Sequence, residues 1–508
     1  MKQVKGHIIT IFGASGDLTS HKLMPAIFSL YSQGFLPDDQ CILGVSRTKY
    51  DDQTYQEFAY QWLIKSYPDQ ENKIKKFIER IHYQSLDTGN PENYIILKER
   101  LKTLNEQYHL KENNILFYLA TPPKLYSLIP KTLADLDLNN QNDGFKRLIV
   151  EKPFGHDEKS AAELNHYLLE FYDETQIYRI DHYLGKETVQ NLLVFRFANS
   201  IFEPLWRSEY IDNIQIYAAE KNGIDDRGGY YDQSGAMRDM IQNHLLQLLG
   251  LVAMEPPAKM DAVGIRNEIL KVFQSVREYQ SVDDITKNVV VGQYTNGYKD
   301  GKKVHSYLDE EGVAADSNTE TFAAIRFYID NWRWNSIPFY VMTGKAMTRR
   351  VSEVVVNFKS TSHPFFSKIQ KEDSYKNRLV IRIQPNEGIK LTFAAKEPGV
   401  GFHTHEVDMN FLYRDFSKSS IPPAYERLVL DCLYGDSTLF ARNDAVEACW
   451  KIMDPIIEYF HGQSQTKPYL YEAGKWGPKE AEAMLKELGH KWRRACTNLD
   501  DSNVCDIE

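Results

Sequence analysis

The chain has 508 residues, of which 42% are hydrophobic and 26% are charged, and its net charge is −10. This length is too great for one ordinary hydrophobic core, so two or three domains are expected, with the composition of a globular protein. The acidic balance argues against nucleic acid or an anionic membrane surface as a partner, and no apolar run approaches the ~20 residues of a membrane-spanning helix.

The first predicted element is a buried parallel strand, HIITIF at residues 7–12. Gly13 and Gly16 follow it, and a helical pattern then runs to a point before Gly34. A strand, a glycine turn and a helix N-terminus together present backbone N–H groups to a pyrophosphate. The complete dinucleotide fingerprint has a third glycine where this chain has Leu18, so the GxxG pattern predicts either a dinucleotide site or a plain strand-to-helix turn.

The second predicted strand, residues 41–45, leads into Ser46 and Arg47. In such folds the end of this strand meets the adenosine ribose, where an acidic residue accepts a hydrogen bond from the 2′-hydroxyl of NAD. Here the first acid is Asp51, and the guanidinium of Arg47 suits a 2′-phosphate instead. The sequence therefore favours NADP, the alternative being that Arg47 is an ordinary surface residue.

Further strands and helices alternate through the first third of the chain. This alternation predicts a mainly parallel α/β sheet in a Rossmann-like domain over residues 1–180, with ligands bound at the carboxyl ends of the strands. The charged stretches EKPFG (151–155) and DHYLGKE (181–187) both follow predicted strands. The additional predicted strands are 115–120, 148–150 and 176–180, and the helices include 55–65 and 94–104.

The pattern changes near residue 185, and a larger α+β domain with a mainly antiparallel sheet is predicted over residues 181–508. Its strands show alternating or β-branched residues, and the PNEG stretch at 385–388 is typical of a hairpin turn. Helices are expected on one face of the sheet. The predicted strands are 213–220, 321–330, 351–358, 378–384 and 389–394.

One helix of this domain is clear from its periodicity. In RDMIQNHLLQLLGLV, apolar residues recur at helical spacing from Ile241 to Val252. His244 falls about 80° from the centre of that stripe at about 100° per residue, which predicts a half-buried side chain. Taken alone, such a histidine is more often a satisfied core residue than a catalytic one.

The five cysteines bear on the compartment. Their number is odd and no pair has CxxC spacing, which argues against a disulfide framework or a zinc site and favours a reducing cytoplasm. The opening MKQVKGHIITIFG lacks the apolar run and cleavage site of a signal peptide. We therefore expect a cytoplasmic protein with no metal.

Several separate segments, taken together, resemble the glucose-6-phosphate dehydrogenase family. They occur in the family's order and span nearly the whole chain, and the combination of DHYLGKE with QNHLLQ is the most specific part. The segments are GASGDLTSHKLMP (13–25), EKPFG (151–155), RIDHYLGKE (179–187), DRGGYYDQSGAMRDMIQNHLLQ (226–247), RWNSIPFYVMTGKAM (333–347) and EAGKWGP (472–478).

The resemblance implies oxidation of glucose 6-phosphate at C1 to 6-phosphoglucono-1,5-lactone with NADP, the first step of the oxidative pentose phosphate pathway. It makes His244 the base for the O1 proton, with Asp181 holding the other ring nitrogen of His244. Lys152 would contact both sugar and nicotinamide, and Pro153 corresponds to a cis proline in the family.

The resemblance also implies the binding residues. His182 and Lys186 would bind the substrate phosphate with Tyr183 alongside, and Arg350 would be a further substrate-side cation, although Arg349 competes for that role. Glu220, Asp239 and Lys345 match sugar-contacting positions; Asp239 is alternatively an acid favoured by a helix N-terminus. The expected cofactor residues are Gly13, Ala14, Ser15, Gly16, Asp17, Leu18, Ser46, Arg47 and Lys152.

This chain departs from many relatives at Thr19, Ser20 and His21, where they carry a more basic run; Lys22 keeps one positive charge. Two alternatives remain open: a related sugar oxidoreductase with another substrate, and a non-catalytic NADP-binding sensor. The presence of Lys152, Asp181 and His244 counts against the sensor. Family members form homodimers or homotetramers, so a homo-oligomer is expected.

Overall fold

The computed structural model describes residues 4–360, 376–401, 403–416, 423–463 and 466–495. Cys41, Cys432 and Cys449 are buried and form no disulfide bond, whereas Cys496 and Cys505 lie outside the described residues. Within the described ranges, no helix combines the length and the apolar character that crossing a membrane would require.

The chain forms two compact units, each assembled from more than one segment. The first comprises Met1–Gly185, Lys259–Arg266 and Pro422–Glu447. The second comprises Lys186–Ala258, Asn267–Ile421 and Ala448–Glu508.

The strands lie in both units. Every strand predicted from the sequence is present, with ends that differ by no more than two residues. The strands are β1 His7–Phe12, β2 Gln40–Ser46, β3 Ile81–Ser85, β4 Ile115–Leu119, β5 Lys146–Val150, β6 Ile177–Ile180, β7 Ile211–Ala219, β8 Val289–Thr295, β9 Gly297–Lys299, β10 Lys302–Val304, β11 Phe322–Tyr328, β12 Pro338–Gly344, β13 Val351–Phe358, β14 Arg378–Gln384, β15 Gly388–Lys396, β16 Thr404–Leu412, β17 Phe440–Ala441 and β18 Tyr469–Glu472.

The helices connect these strands. Among the described residues, three segments are π-helical: Thr19–Leu23, Met237–Leu245 and Tyr459–Gln463. The α-helices are α1 Met24–Ser32, α2 Asp52–Ser66, α3 Glu71–Ile78, α4 Tyr94–Gln107, α5 Leu128–Asp135, α6 Glu158–Leu169, α7 Glu187–Phe197, α8 Gly228–Ala236, α9 Leu246–Ala253, α10 Ala262–Ser275, α11 Val282–Asn288, α12 Tyr413–Phe416, α13 Ala424–Tyr434, α14 Asn443–Glu458 and α15 Lys479–Lys486.

The sheet of the first unit has the order β17-β6-β5-β4-β1-β2-β3. All of its strands are parallel except the edge strand β17. The central strands β1 and β4 are buried at every residue, as β-branched and aromatic runs in a parallel sheet should be. The strand order reverses between β1 and β4, and such a switch point is where open α/β sheets bind ligands. The predicted Rossmann-like fold is confirmed.

The second unit contains a nine-stranded sheet in the order β16-β15-β14-β13-β7-β12-β11-β8-β18. Its pairs are antiparallel except β7 with β12 and β8 with β18, so the predicted mainly antiparallel sheet is confirmed. The predicted hairpin at 385–388 joins β14 and β15.

The helix that carries His244 differs from the prediction. Met237–Leu245 is π-helical and only Leu246–Ala253 is α-helical. A π-helix has i→i+5 hydrogen bonds and a wider turn, so the α-helical angle assigned to His244 does not apply. His244 is 1% exposed, and the prediction of a half-buried side chain was therefore wrong.

Candidate active site

The glycine turn follows β1 at the carboxyl edge of the first unit's sheet. Gly13 has φ +85°, and a Cβ on it would lie 2.1 Å from the carbonyl oxygen of Ala120. Its N–H donates to the carbonyl of Val45 at 2.8 Å, and the N–H of Gly16 donates back to the carbonyl of Gly13 at 3.0 Å. Only glycine fits at position 13, so this chain builds the tight turn that a pyrophosphate site needs.

A network of side-chain hydroxyls joins this turn to the end of β2. Ser15 Oγ lies 2.8 Å from Ser46 Oγ and 2.9 Å from Thr48 Oγ1. Arg47, between these two partners, is exposed. Ala14 is buried, Leu18 is half-buried and Asp17 is exposed. The predicted cofactor residues of the turn and of the end of β2 therefore lie beside one another, and the exposed Arg47 side chain is next to them.

Lys152 lies at the same edge, directly after β5. Phe12 pairs with Leu119, Leu119 pairs with Val150, and Val150 pairs with Arg179. Lys152 and Asp181 each lie just beyond one of these paired strands, and the charges of both act on Glu151. The Lys152–Pro153 bond is cis, so that prediction is confirmed.

The neighbour of Lys152, Glu151, is a buried carboxyl group that the sequence did not indicate as part of the site. Burial raises the pKa of Glu151 to about 6, and hydrogen bonding by Tyr118 and the charge of Lys152 oppose this rise. Tyr118 donates to Glu151 Oε1 at 2.5 Å. The carboxyl group thus lies close enough to Lys152 for their charges to interact.

The DHY stretch follows β6. Asp181 is 4% exposed, and its Oδ1 accepts a hydrogen bond from the backbone N–H of Tyr183 at 2.8 Å. Tyr183 is buried and His182 is half-buried, with ring centroids 5.0 Å apart in an edge-to-face arrangement. A short turn therefore presents an acid, an imidazole and a phenol beyond the end of a parallel strand.

In the second unit, three predicted substrate residues follow or precede adjacent strands. Ala219, the last residue of β7, pairs with Gly344 of β12 and with Val351 of β13. Glu220, Lys345 and Arg350 are the next residues on these three strands, so they occupy one edge. Glu220 is 125 residues from Lys345 in sequence, and the strand register brings it level with Lys345 and Arg350.

Lys345 lies in a carboxylate cluster, which we define as Lys345, Glu220 and Asp239. Its ammonium forms an ion pair with Glu220 and lies 3.8 Å from Asp239 Oδ2. Lys345 is 3% exposed, and its Nζ is 5.3 Å from the ring centroid of Tyr231. Asp239 also lies in the first turn of the π-helical segment, as its alternative interpretation expects, and its contact with a sugar stays a prediction. One ammonium and two carboxylates are suited to binding the hydroxyl groups of a sugar.

Lys186 and Arg350 form a second group, the cationic cluster. Lys186 directly precedes α7, and its Nζ donates to Gln384 Oε1 at 2.6 Å. The pKa of Lys186 is lowered to about 8, chiefly by burial; the negative charge of Glu387 opposes this shift and the positive charge of Arg350 adds to it. Glu387 accepts hydrogen bonds from the backbone N–H and hydroxyl of Thr188, at 3.1 and 2.5 Å. A half-buried ammonium beside a second cation favours binding of an anion.

His244 is buried in the π-helical segment that also carries Asp239. Asp181 belongs to the first unit and His244 to the second, and the pairing of these residues stays a prediction.

Sequence reasoning missed Tyr231, Gln384 and Glu387. Only weak signals pointed to them: Tyr231 lies within the DRGGYYDQSG segment, Gln384 directly precedes the predicted hairpin turn, and Glu387 lies within it.

The two units together define a class of protein: a nicotinamide-dinucleotide oxidoreductase with a Rossmann-like unit and a separate mixed-sheet unit for its substrate. Residues 10–191 match the family model of the glucose-6-phosphate dehydrogenase NAD binding domain, and residues 193–493 match that of the C-terminal domain. The chain belongs to the glucose-6-phosphate dehydrogenase family.

Individual relatives agree with this assignment. The chain is 49% identical over 486 residues to glucose-6-phosphate 1-dehydrogenase of Aggregatibacter actinomycetemcomitans, covering 96% of this chain and 97% of the relative. It is 45% identical over 508 residues to the enzyme of Treponema pallidum, covering 99% and 98%. A solved glucose-6-phosphate dehydrogenase in complex with its substrate glucose 6-phosphate superposes with a TM-score of 0.89, at 36% identity, covering 97% of this chain and 100% of the other.

Proposed function

We propose that this protein oxidises glucose 6-phosphate at C1 to 6-phosphoglucono-1,5-lactone and transfers the hydride to NADP, the first step of the oxidative pentose phosphate pathway. The observation that carries the proposal is the end-to-end match to glucose-6-phosphate dehydrogenases, one of them solved with that sugar phosphate bound. The charged clusters of the second unit support it, since a sugar phosphate has hydroxyl groups at one end and an anion at the other.

The cationic cluster is proposed to bind the 6-phosphate. Lys186 has a lowered pKa, near 8, because burial and Arg350 disfavour its charge. A phosphate dianion would neutralise both cations and form charge-assisted hydrogen bonds with them. His182 and Tyr183 are proposed to complete this end of the site. Binding energy from the non-reacting phosphate then aligns the reacting carbon.

The carboxylate cluster is proposed to orient the sugar ring. Glu220 and Asp239 can accept hydrogen bonds from sugar hydroxyl groups, and Lys345 can donate one. Because Lys345 is buried between two carboxylates, these side chains are held in place before substrate binds. Little rotamer freedom is then lost when the sugar arrives.

His244 is proposed to take the proton from O1. An imidazole suits a base that works near neutral pH, and a carboxylate on its other nitrogen, proposed to be Asp181, would stabilise the imidazolium that forms. Lys152 is proposed to contact sugar and cofactor from the first unit. Each of these residues is buried or half-buried, as groups that react away from bulk water should be.

The glycine turn and β2 fit a dinucleotide. Gly13 has no room for a Cβ, so the backbone there is shaped for a close approach, and Arg47 is exposed at the end of β2. We propose that the 2′-phosphate of NADP binds Arg47. When bound, the nicotinamide accepts the hydride from C1. The protein is further proposed to be cytoplasmic and homo-oligomeric, as homodimer or homotetramer.

Initial rates, followed by the absorbance of the reduced nicotinamide, test the proposal directly. Glucose 6-phosphate and glucose should each be combined with NADP and with NAD. We expect rapid reduction of NADP with glucose 6-phosphate and a very poor rate with free glucose, which lacks the anchoring phosphate. Equal rates with the two sugars would rule out the phosphate site. If neither sugar reacts, the proposed function is wrong, and the protein is either a non-catalytic cofactor-binding protein or an oxidoreductase for another substrate.

The variant His244→Asn tests the base. Its kcat should fall roughly 10²- to 10⁴-fold while its melting temperature stays close to that of the parent protein. A matched control is His7→Asn, which changes another buried histidine, at the opposite end of β1 from the glycine turn. Turnover by His244→Asn close to that of His7→Asn would remove His244 from the mechanism.

A further inference from the structure

Three tyrosines of the first unit pack together beside the glycine turn and the end of β2. The ring centroids of Tyr55 and Tyr83 are 4.6 Å apart, and that of Tyr50 lies 5.6 Å from that of Tyr83. Tyr55 and Tyr83 are almost fully buried, at 1% and 4% exposure. They belong to α2 and β3, which pack against each other.

The hydroxyl groups of Tyr55 and Tyr83 hold different parts of the proposed cofactor site. The Tyr83 hydroxyl lies 2.8 Å from the carbonyl oxygen of Thr48 and 3.3 Å from that of Ser46, and donates to both. These carbonyls flank Arg47. The Tyr55 hydroxyl donates at 2.9 Å to the carbonyl of Ala14 in the glycine turn. One tyrosine therefore fixes the backbone around Arg47 and the other fixes the turn.

The position of the Arg47 backbone matters for what its side chain can bind. A guanidinium binds a phosphate best through two parallel hydrogen bonds, which need a defined distance and orientation. The Arg47 side chain is exposed and long, so its own contacts do little to orient it. The Tyr83 hydroxyl restrains the chain on both sides of this residue and so limits where the guanidinium can reach.

We propose that Tyr83 is a positioning residue that determines cofactor preference, because its hydroxyl holds the Ser46–Thr48 carbonyls and thereby aims Arg47 at a 2′-phosphate. Tyr55 positions the glycine turn, which NADP and NAD use alike. The inference rests on the proposed function, since it takes Arg47 to bind the 2′-phosphate of NADP.

The test is Tyr83→Phe in the full chain, which removes one oxygen atom and keeps the ring packing. The ratio of kcat/KM for NADP to kcat/KM for NAD should fall about 3- to 10-fold, the effect of one buried hydrogen bond. Tyr55→Phe is the matched control: it loses an equivalent bond in the same aromatic group, lowers kcat/KM for both cofactors together and leaves the ratio unchanged. If Tyr83→Phe leaves this ratio unchanged, whether or not kcat/KM falls for both cofactors, the inference is overturned.

A double-variant cycle separates aiming of Arg47 from general loosening of the unit. In an Arg47→Ala background, Tyr83→Phe should leave the cofactor ratio unchanged, because the residue that reads the 2′-phosphate is absent. A ratio that still falls 3-fold or more in that background contradicts the inference. If Tyr83→Phe does not fold, Tyr83→Met, which also lacks the hydroxyl, is measured by the same cycle with the same criteria.

The same measurements distinguish failure of this inference from failure of the proposed function. A parent protein that does not reduce NADP with glucose 6-phosphate rejects the proposed function itself. A parent that prefers NADP, combined with an unaltered ratio in Tyr83→Phe, rejects only the role of Tyr83. A parent that prefers NADP but keeps that preference in Arg47→Ala rejects the role of Arg47, and the aiming role of Tyr83 with it.

Discussion

The carboxylate cluster and the cationic cluster of the second unit both contain a lysine, yet the two lysines have opposite surroundings. Lys345 is 3% exposed and lies between Glu220 and Asp239. Lys186 is half-buried and donates to the amide oxygen of Gln384, and burial and Arg350 lower its pKa while Glu387 opposes the shift. Two carboxylates neutralise the charge of Lys345, whereas Glu387 offsets the burial of Lys186 only in part, and a bound anion would stabilise its charge further.

This difference separates stability from binding. A buried ammonium between carboxylates contributes to a fixed local structure, and removing it leaves uncompensated negative charge. A half-buried ammonium near another cation disfavours its own charged form, and a phosphate dianion reverses that penalty. We therefore expect substitutions of Lys345 to act mainly on folding and substitutions of Lys186 to act mainly on substrate affinity.

The largest effect is expected from Lys345→Met. The free energy of unfolding should fall by about 3 kcal/mol, the low end for a broken buried ion pair, because the Glu220 side chain remains 33% exposed. Urea denaturation at neutral pH measures it. Lys186→Met is the comparison and should change the same quantity by less than about 1 kcal/mol. Equal losses in the two variants would mean that the clusters do not differ as described.

The second effect is on substrate affinity. Lys186→Met should raise the KM for glucose 6-phosphate about 10- to 150-fold, corresponding to about 1.5–3 kcal/mol for a charge-assisted hydrogen bond, and leave the poor rate on free glucose unchanged. A matched control is Lys390→Met in β15 of the same sheet. This variant removes an ammonium that forms an ion pair with Asp408 of β16 at 2.7 Å. A KM in Lys186→Met no higher than in this control would exclude Lys186 from the phosphate site.

The smallest effect is a pH dependence. The pKa of Lys186 is lowered to about 8, so its ammonium is present below that pH and lost as the pH rises through it. The KM for glucose 6-phosphate should therefore rise about 10-fold between pH 7 and about one unit above this pKa, since the substrate phosphate is already a dianion in this range. Lys186→Arg keeps its charge and should show a flat profile. Parallel profiles for the parent and Lys186→Arg would assign the dependence to another group.

Some of this arrangement could be predicted from the sequence because local patterns determine it. The β-branched runs at residues 7–12 and 351–358 are strands in the structure, and Gly13 is required by its positive φ and the nearby Ala120 carbonyl. Several strands, among them β3, β8, β12 and β16, were not predicted. IHYQS is short and half polar, and PFYVMTG contains a proline and a glycine, so neither shows a clear period.

Other features depend on long-range packing and had no local signal. His244 was expected to be half-buried on an α-helix, but the segment Met237–Leu245 is π-helical and His244 is buried. The bond from Lys186 to Gln384 spans 198 residues of sequence. Gln384 precedes, and Glu387 belongs to, a hairpin turn that could be predicted, whereas the contacts of these two side chains could not.

By itself the sequence determined the two kinds of sheet, the glycine turn, and the ordered segments that assign the chain to its family, since each of these depends on residues close together along the chain. Only the tertiary structure decided the state of the charged residues. Strand register brings Glu220, Lys345 and Arg350 to one edge, and burial lowers the pKa of Lys186 while holding Lys345 in an ion pair. Both depend on which distant segments surround a side chain, because desolvation and Coulomb energy are set by neighbours in space.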